Sequence, residues 1–293
     1  MENSAVASRT TEEAGENFRD WSKLQTDMLL KIFALVSVMD RILNVSAVCH
    51  SWRSACSHKI LSSTLDTSEI RNEMDTKTRR GRTRLMVILI CGVNLAGENL
   101  TTLIIDSILE VNDKILTRAA KRCPNLMCLG LLWPYRATSR GLRTAFESWT
   151  NLQSMSISFN SLLSHVNIFK AIGQNCPNFT ELKVHAPFVS QETAQIASQF
   201  IPHLKVLRLQ CKMVSKDAAV AVLDGLQDLE ELYISIQKVE YVAPVTGVFR
   251  PAIMRDPRVL SKASRLRVYH VCYAGECSSC PASSMGPPPS NVV

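Results

Sequence analysis

Residues 125–131 read NLMCLGL, residues 151–157 read NLQSMSI, and residues 178–184 read NFTELKV. Each stretch has the form L-x-x-L-x-L with conservative replacements, and each follows a short polar or proline turn. The form occurs six times, as Leu100-Leu103-Ile105, Leu126-Leu129-Leu131, Leu152-Met155-Ile157, Phe179-Leu182-Val184, Leu204-Leu207-Leu209 and Leu229-Leu232-Ile234. The starts of successive copies are 26, 26, 27, 25 and 25 residues apart. A period this regular predicts a chain built from stacked repeats.

Helical segments separate the copies. Between Leu116 and Cys123, for example, apolar residues recur at i, i+3, i+4 and i+7, which indicates one buried face of a helix. A strand–helix unit cannot bury its apolar face alone, so the units stack with parallel strands inside and helices outside. The sequence therefore predicts an α/β fold, with a leucine-rich-repeat solenoid over residues 85–272. Residues 85–91 are expected to start an apolar helix that caps the first repeat.

A seventh, weaker copy of the repeat is Leu266-Tyr269-Val271. It starts 37 residues after the sixth copy, so it requires an insertion.

The positions that alternate with the leucines face the inner, concave surface of such a solenoid. They are small, apolar or hydroxylic in the early copies and charged in the later ones. This surface favours a protein or peptide target over a ligand in a deep pocket. The candidate target-binding residues are Ser156, Ser158, Glu181, Lys183, His185, Arg208, Gln210, Glu231 and Tyr233.

Residues 20–66 do not fit the repeat and read as two or three short helices. One helix is expected to follow Thr26 or Asp27, and another to begin near Met39. Helices of this size have too small a core to be stable alone. Their apolar surface therefore predicts a binding partner.

One motif in this module resembles that of a known family. The motif is Leu24-x-x-Asp27-x-Leu29, then a hydrophobic helix, then Val48-Cys49-x-x-Trp52-Arg53. It resembles the F-box, and over about residues 20–272 the chain resembles the plant F-box/leucine-rich-repeat proteins. In that family the F-box packs against the Skp-type linker subunit of a cullin–RING ubiquitin ligase.

The resemblance implies a set of residues that bind the linker subunit. They are Leu24, Leu29, Ile32, Phe33, Val48, Cys49 and Trp52. The other interpretation is that several of them, Val48 and Trp52 especially, only build the core of the module.

The resemblance also implies a function, with one alternative. The chain is expected to be a non-catalytic substrate-recognition adaptor, which reaches a cullin through its linker subunit and holds an unknown target protein. Gln25 stands where the family usually has Pro, and Ser62 stands where many members have Trp. The alternative is therefore a leucine-rich-repeat interaction scaffold with a degenerate F-box and no ligase role.

No catalytic motif is present: there is no P-loop, no G-x-G-x-x-G, no H-E-x-x-H and no nucleophile elbow. The best zinc candidate, His270-x-Cys272-x4-Cys277-x2-Cys280, lacks a second matching half, so its cysteines read as ordinary thiols. We therefore expect no catalytic residue, no metal and no cofactor.

The net charge of +7 is largely local. The run KTRRGRTR at 77–84 supplies five of these charges, and residues 67–84 read as a basic linker. A nuclear-localisation or phosphate-contacting patch is the other interpretation of the run. The remainder is close to neutral, which argues against a nucleic-acid partner.

The ends of the sequence are polar. Residues 1–19 and 273–293 are expected to be disordered. No signal peptide and no apolar run of bilayer length is seen, so the expected location is the cytoplasm and/or the nucleus, with no membrane partner.

Overall fold

The computed structural model describes residues 20–132, 136–158, 165–236 and 256–273. The tails expected to be disordered lie outside these residues, apart from Tyr273. No helix of the described residues is long and apolar enough to cross a membrane.

The N-terminal part is helical, as its apolar spacing predicts. Its elements are η1 (Trp21–Lys23), α1 (Thr26–Phe33), α2 (Val38–Leu43), η2 (Val45–Ala47), α3 (His50–Ser57) and α4 (Lys59–Ser62). Leu29, Phe33, Ala55 and Cys56 form its small buried core.

The strands of the described residues form one sheet of eight parallel strands in chain order. They are β1 (Thr64–Asp66), β2 (Thr102–Ile105), β3 (Cys128–Leu131), β4 (Ser154–Ser158), β5 (Glu181–Val189), β6 (Val206–Val214), β7 (Glu231–Ile236) and β8 (Val268–Tyr273). The register follows the repeat, since Leu129 lies opposite Met155 and Met155 opposite Leu182. The predicted solenoid is confirmed, and its seventh copy forms β8.

Helices alternate with these strands. They are α5 (Thr67–Asn72), α6 (Arg79–Ala96), α7 (Asp113–Arg122), α8 (Ser139–Phe146), α9 (His165–Asn175), α10 (Gln191–Phe200), α11 (Lys216–Gly225) and α12 (Pro257–Ala263), with a 3-10 turn, η3, at Gly97–Asn99. Side-chain caps start several of them: the hydroxyls of Thr138, Ser190 and Ser215 each accept a hydrogen bond from the backbone N–H three residues later.

The leucine positions of the repeats are buried in one continuous core that runs along the solenoid. Polar contacts also join successive repeats. The Trp149 indole N–H donates to the Cys123 carbonyl oxygen at 3.1 Å, and the Cys176 thiol lies 3.5 Å from the Trp149 carbonyl oxygen. Each repeat is thus covered and hydrogen-bonded by the next.

The segment predicted to be a basic linker at 67–84 contains helices. It holds α5 and the start of α6, which begins at Arg79, six residues before the predicted apolar start. The Thr78 hydroxyl accepts from the Gly81 N–H and caps α6. Arginine is a good helix former, so a helix can start within a charged run that shows no apolar period.

The helical module is joined to the solenoid by direct packing. Residues 64–66, expected in the module, form β1 and pair with β2. Gly92 on α6 lets the two parts approach, because a Cβ at this position would lie 2.8 Å from Leu65 Cδ2 and 3.0 Å from Ile42 Cδ1. The Asn99 amide donates to the Ser57 carbonyl oxygen at 2.9 Å.

The repeat core provides a stability test. Leu129→Ala removes a fully buried side chain from the middle of β3, and we expect it to lower the free energy of unfolding by about 2–5 kcal/mol. Met127→Ala, one residue before the same strand, removes a partly exposed side chain and should lower the free energy of unfolding by less. Urea denaturation followed by circular dichroism measures both. Equal losses for the two variants would contradict the assigned register.

Candidate interaction surfaces on the helical module and the concave sheet

Helix α1 is apolar on two faces. Leu29 and Phe33, four residues apart, point into the module core and are 1% and 2% exposed. Met28, Ile32 and Leu35 follow i, i+4, i+7 spacing on another face and are 52%, 46% and 90% exposed. Val48, which follows η2, is 60% exposed. We call Met28, Ile32, Leu35 and Val48 the apolar docking set.

The structure divides the residues predicted to bind a linker subunit. Ile32 and Val48 are exposed, as that role requires. Leu29 and Phe33 are buried against α3 in the isolated chain, whereas the side chain of Val48 is exposed rather than part of the module core. Linker-subunit binding by these residues stays a prediction.

Trp52 and Leu24 pack at the edge of the module core. The Trp52 ring meets the Phe33 ring edge-on, with centroids 5.1 Å apart, and its indole N–H donates to the Trp21 carbonyl oxygen at 3.2 Å. Cys49 is the N-cap residue of α3, and the Ser51 hydroxyl 3.1 Å away lowers the pKa of its thiol. The contacts of Trp52 with Trp21 and Phe33 therefore hold η1 and α1 against α3.

The two departures from the F-box pattern fit the local structure. Gln25 has φ −63°, the angle that a proline ring would impose, and it directly precedes α1. Ser62 is buried, and its hydroxyl donates to the carbonyl oxygens of Ser57 and His58 at 2.8 and 3.0 Å. Neither substitution leaves a strained backbone or an unpaired hydroxyl.

The predicted concave residues lie side by side on β4–β7. The register aligns them in three rows across the strands: Glu181 and Glu231; Ser156, Lys183, Arg208 and Tyr233; and Ser158, His185 and Gln210. The strands thus bring all nine residues to one face.

Arg208 lies at the centre of these rows. Its guanidinium group forms an ion pair with Glu181 and lies 5.2 Å from the centroid of the Tyr233 ring. The Tyr233 ring is tilted against the His270 ring, with centroids 6.2 Å apart. Burial, followed by the Glu231 carboxylate, raises the pKa of the Tyr233 phenol. The result is an ordered polar and aromatic surface, of the kind that contributes strongly to protein interfaces.

His185 is a half-buried neutral base. Burial, together with the positive charge of Lys183, lowers its pKa to about 4. Its Nε2 lies 3.5 Å from the Ser156 hydroxyl oxygen. At neutral pH it therefore presents a hydrogen-bonding ring without a charge.

Sequence reasoning missed several surface residues. Met28 on α1 and Leu35 in the turn after it are exposed beside Ile32, and the signal was their spacing of four and three residues around Ile32. Arg267 pairs with Glu231 next to the concave rows, and His270 extends the central row. Both lie in the seventh copy, whose irregular spacing hid its place in the surface.

The described residues contain no group of three or more His, Cys, Asp or Glu side chains placed to hold a metal ion. Cys277 and Cys280 of the zinc candidate lie outside the described residues. Burial raises the pKa of the Cys123, Cys176 and Cys211 thiols to about 12, so these three stay protonated at neutral pH.

Comparisons with known proteins identify both parts of the chain. The family model described as the F-box domain matches residues 21–63. An F-box/LRR-repeat protein of Arabidopsis thaliana is 32% identical over 272 residues, covering 89% of this chain and 86% of the relative. A putative F-box protein of Arabidopsis thaliana is 29% identical over 265 residues, covering 76% and 78% of the two chains.

Among solved structures, a chain from the crystal structure of the Rad7 and Elc1 complex in yeast is similar. The TM-score is 0.40 and the identity 16%, covering 74% of this chain and 61% of that one. This likeness is too low to support an argument.

The lowered pKa of the half-buried His185 predicts a pH dependence of stability. Its pKa is about 4 in the folded chain and 6.5 when unperturbed, so between these values the unfolded state binds more protons. The wild type should lose stability as the pH falls from about 6.5 to about 4. His185→Gln should weaken this loss, whereas a change at the exposed His50, His50→Gln, should not. Urea midpoints at about pH 7 and pH 4.5 measure the effect; identical pH dependences of wild type and H185Q would contradict the assignment.

Proposed function

This chain belongs to the F-box/leucine-rich-repeat proteins, and on that premise we propose that it is the substrate-recognition adaptor of a Skp–cullin–F-box ubiquitin ligase. Members of the family are generally non-catalytic adaptors. The proposed adaptor binds a Skp-type linker subunit, and through it a cullin, with the F-box. It holds a target protein on the concave face of the repeats.

The apolar docking set carries the first half of the proposal. Its four members are among the large apolar side chains that this module of short helices exposes, although the module has its own buried core. Burying such a side chain contributes roughly 1.5–3 kcal/mol when it goes from full exposure to full burial. An F-box domain implies binding to a Skp-type subunit, and this surface has the chemistry for it.

The concave rows on β4–β8 support the second half. Charged, aromatic and neutral hydrogen-bonding groups stand in fixed order there, held by ion pairs and ring contacts. A target that binds this surface is brought close to the transfer machinery, which raises its effective concentration. The adaptor therefore needs no reacting group of its own.

The alternative is an interaction scaffold with a degenerate F-box. Gln25 and Ser62 suggested it, but both positions are well accommodated, so neither argues for a failed module. The two functions differ in one property: only the adaptor binds a linker subunit.

Loss of linker-subunit binding on Ile32→Asp/Val48→Asp is the first expected outcome. Both side chains are exposed, so the double variant should fold and yet lose binding, because carboxylates would be buried at an apolar interface. Val87→Asp changes an exposed apolar residue on α6, outside the module, and should still bind. Leu29→Asp is unsuitable, since it places a charge in the core.

Pull-down of the purified chains with a purified Skp-type subunit, next to thermal melts, measures this. If the folded wild type shows no saturable binding, the ligase role is rejected and the scaffold function stands. If the double variant binds like the wild type, the assigned surface is wrong.

The proposed target site on the concave face gives a separate prediction, a loss of target binding. Arg208→Ala/Tyr233→Ala should remove the central contacts of the target surface while leaving linker-subunit binding intact. Proximity labelling in plant cells should then show a set of proteins reached by the wild type and by Val87→Asp but absent with the double variant. Unchanged labelling with the double variant would exclude this face as the target site.

A further inference from the structure

The outer, helical surface of the solenoid has an uneven charge distribution. Helices α7, α8 and α9 expose seven basic side chains: Lys114, Arg118, Lys121, Arg122, Arg140, Arg143 and Lys170. We call these seven residues the basic outer face. The exposed arginines of the run 77–84 lie on α6, which packs beside α7. The positive charge that the sequence placed mainly in residues 77–84 therefore continues over α7, α8 and α9.

These cations have no acidic partner among the residues that the structure describes. Within the described ranges, none of the seven takes part in an ion pair, and Arg118 donates to the amide oxygen of Asn94 at 3.3 Å. Glu147, the C-cap residue of α8, is exposed, and Asp113, the acidic residue within these helices, is already engaged. Its two carboxylate oxygens accept from the Thr138 N–H and hydroxyl, both at 2.7 Å. The face is thus a set of available donors.

A groove between α8 and α9 concentrates this chemistry. It is lined by Arg140, Arg143 and Lys170, with Asn167 and Gln174 beside them and no carboxylate. The corresponding groove between α10 and α11 is lined by Asp217, Asp224 and glutamines, with no lysine or arginine. On α12, Arg258 and Lys262 form ion pairs with these two aspartates. The excess of positive charge is therefore specific to the N-terminal half of the outer surface.

We propose that the basic outer face binds a flexible acidic segment of a partner protein. Guanidinium groups bind carboxylates through two parallel hydrogen bonds, and the groove amides supply further donors. Binding an acidic segment would break no ion pair of the described residues, because these exposed cations form none there. Their combined electrostatic field also steers an acidic partner towards them. This surface is separate from the F-box and the concave rows, so the proposal does not depend on the ligase role.

The shape of the surface favours a polypeptide over other polyanions. It is the outer curve of a solenoid, so a flexible chain can follow it, whereas a stiff duplex or a flat bilayer would meet only its crest. Bound bases usually stack on exposed aromatic rings. The rings on α8 and α9, Phe146 and Phe169, are fully buried. Helices pack roughly 8–10 Å apart, so an extended segment of about seven residues spans all three.

A binding assay with the purified full chain tests the proposal. The probe is a fluorescent, unstructured Glu/Asp-rich peptide of about ten residues. The competitors are duplex DNA of equal net charge and vesicles of phosphatidylcholine with phosphatidylserine. The groove variant is Arg143→Glu/Lys170→Glu. The control, Lys59→Glu/Lys212→Glu, makes the same change in net charge at exposed lysines outside the face. Thermal melts establish that both variants fold.

We expect saturable peptide binding that weakens with added salt. The groove variant should bind about tenfold more weakly, and the control should bind like the wild type. Three results would overturn the proposal. They are no saturable binding by the wild type, equal losses in the two variants, which would indicate net charge alone, and tighter binding of DNA or vesicles than of the peptide.

Discussion

The structure depends on one constraint: no strand–helix unit of this chain can bury its apolar face without the next unit. The parallel ladder from β1 to β8 is the solution, and it begins in the segment that directly follows the helical module. Because β1 pairs with β2 and Gly92 admits Leu65 and Ile42 against α6, the module packs directly against the first repeat. The F-box and the repeats therefore share one continuous framework.

This framework positions the two surfaces that the proposed function needs. The apolar docking set lies on α1 and after η2, and the concave rows lie several repeats away on β4–β8. Since the ladder between them is unbroken in the described residues, a target bound at Arg208 and Tyr233 would have a defined place relative to the proposed linker subunit. Such an adaptor contributes geometry, which is the main requirement for transfer between two bound proteins.

Much of this could be predicted from the sequence, and the rest could not, for physical reasons. The period of the leucines predicted the strand register, because a parallel ladder repeats whatever the chain repeats. Which apolar residues of α1 face outwards was not predictable, since both Leu29 and Ile32 fit a buried helix face and only the packing of α3 distinguishes them. The basic outer face was also hidden, because Arg143 and Lys170 become neighbours only when α8 and α9 stack.

Hydrogen–deuterium exchange of the whole chain, with and without a Skp-type subunit, tests the central claim most directly. The account predicts slower exchange at the amides of α1 and residues 45–49 on binding, with little change along β4–β8, where the target site stays open. Protection centred on the concave strands, or no protection of α1 at saturating subunit, would contradict the assignment of the two surfaces.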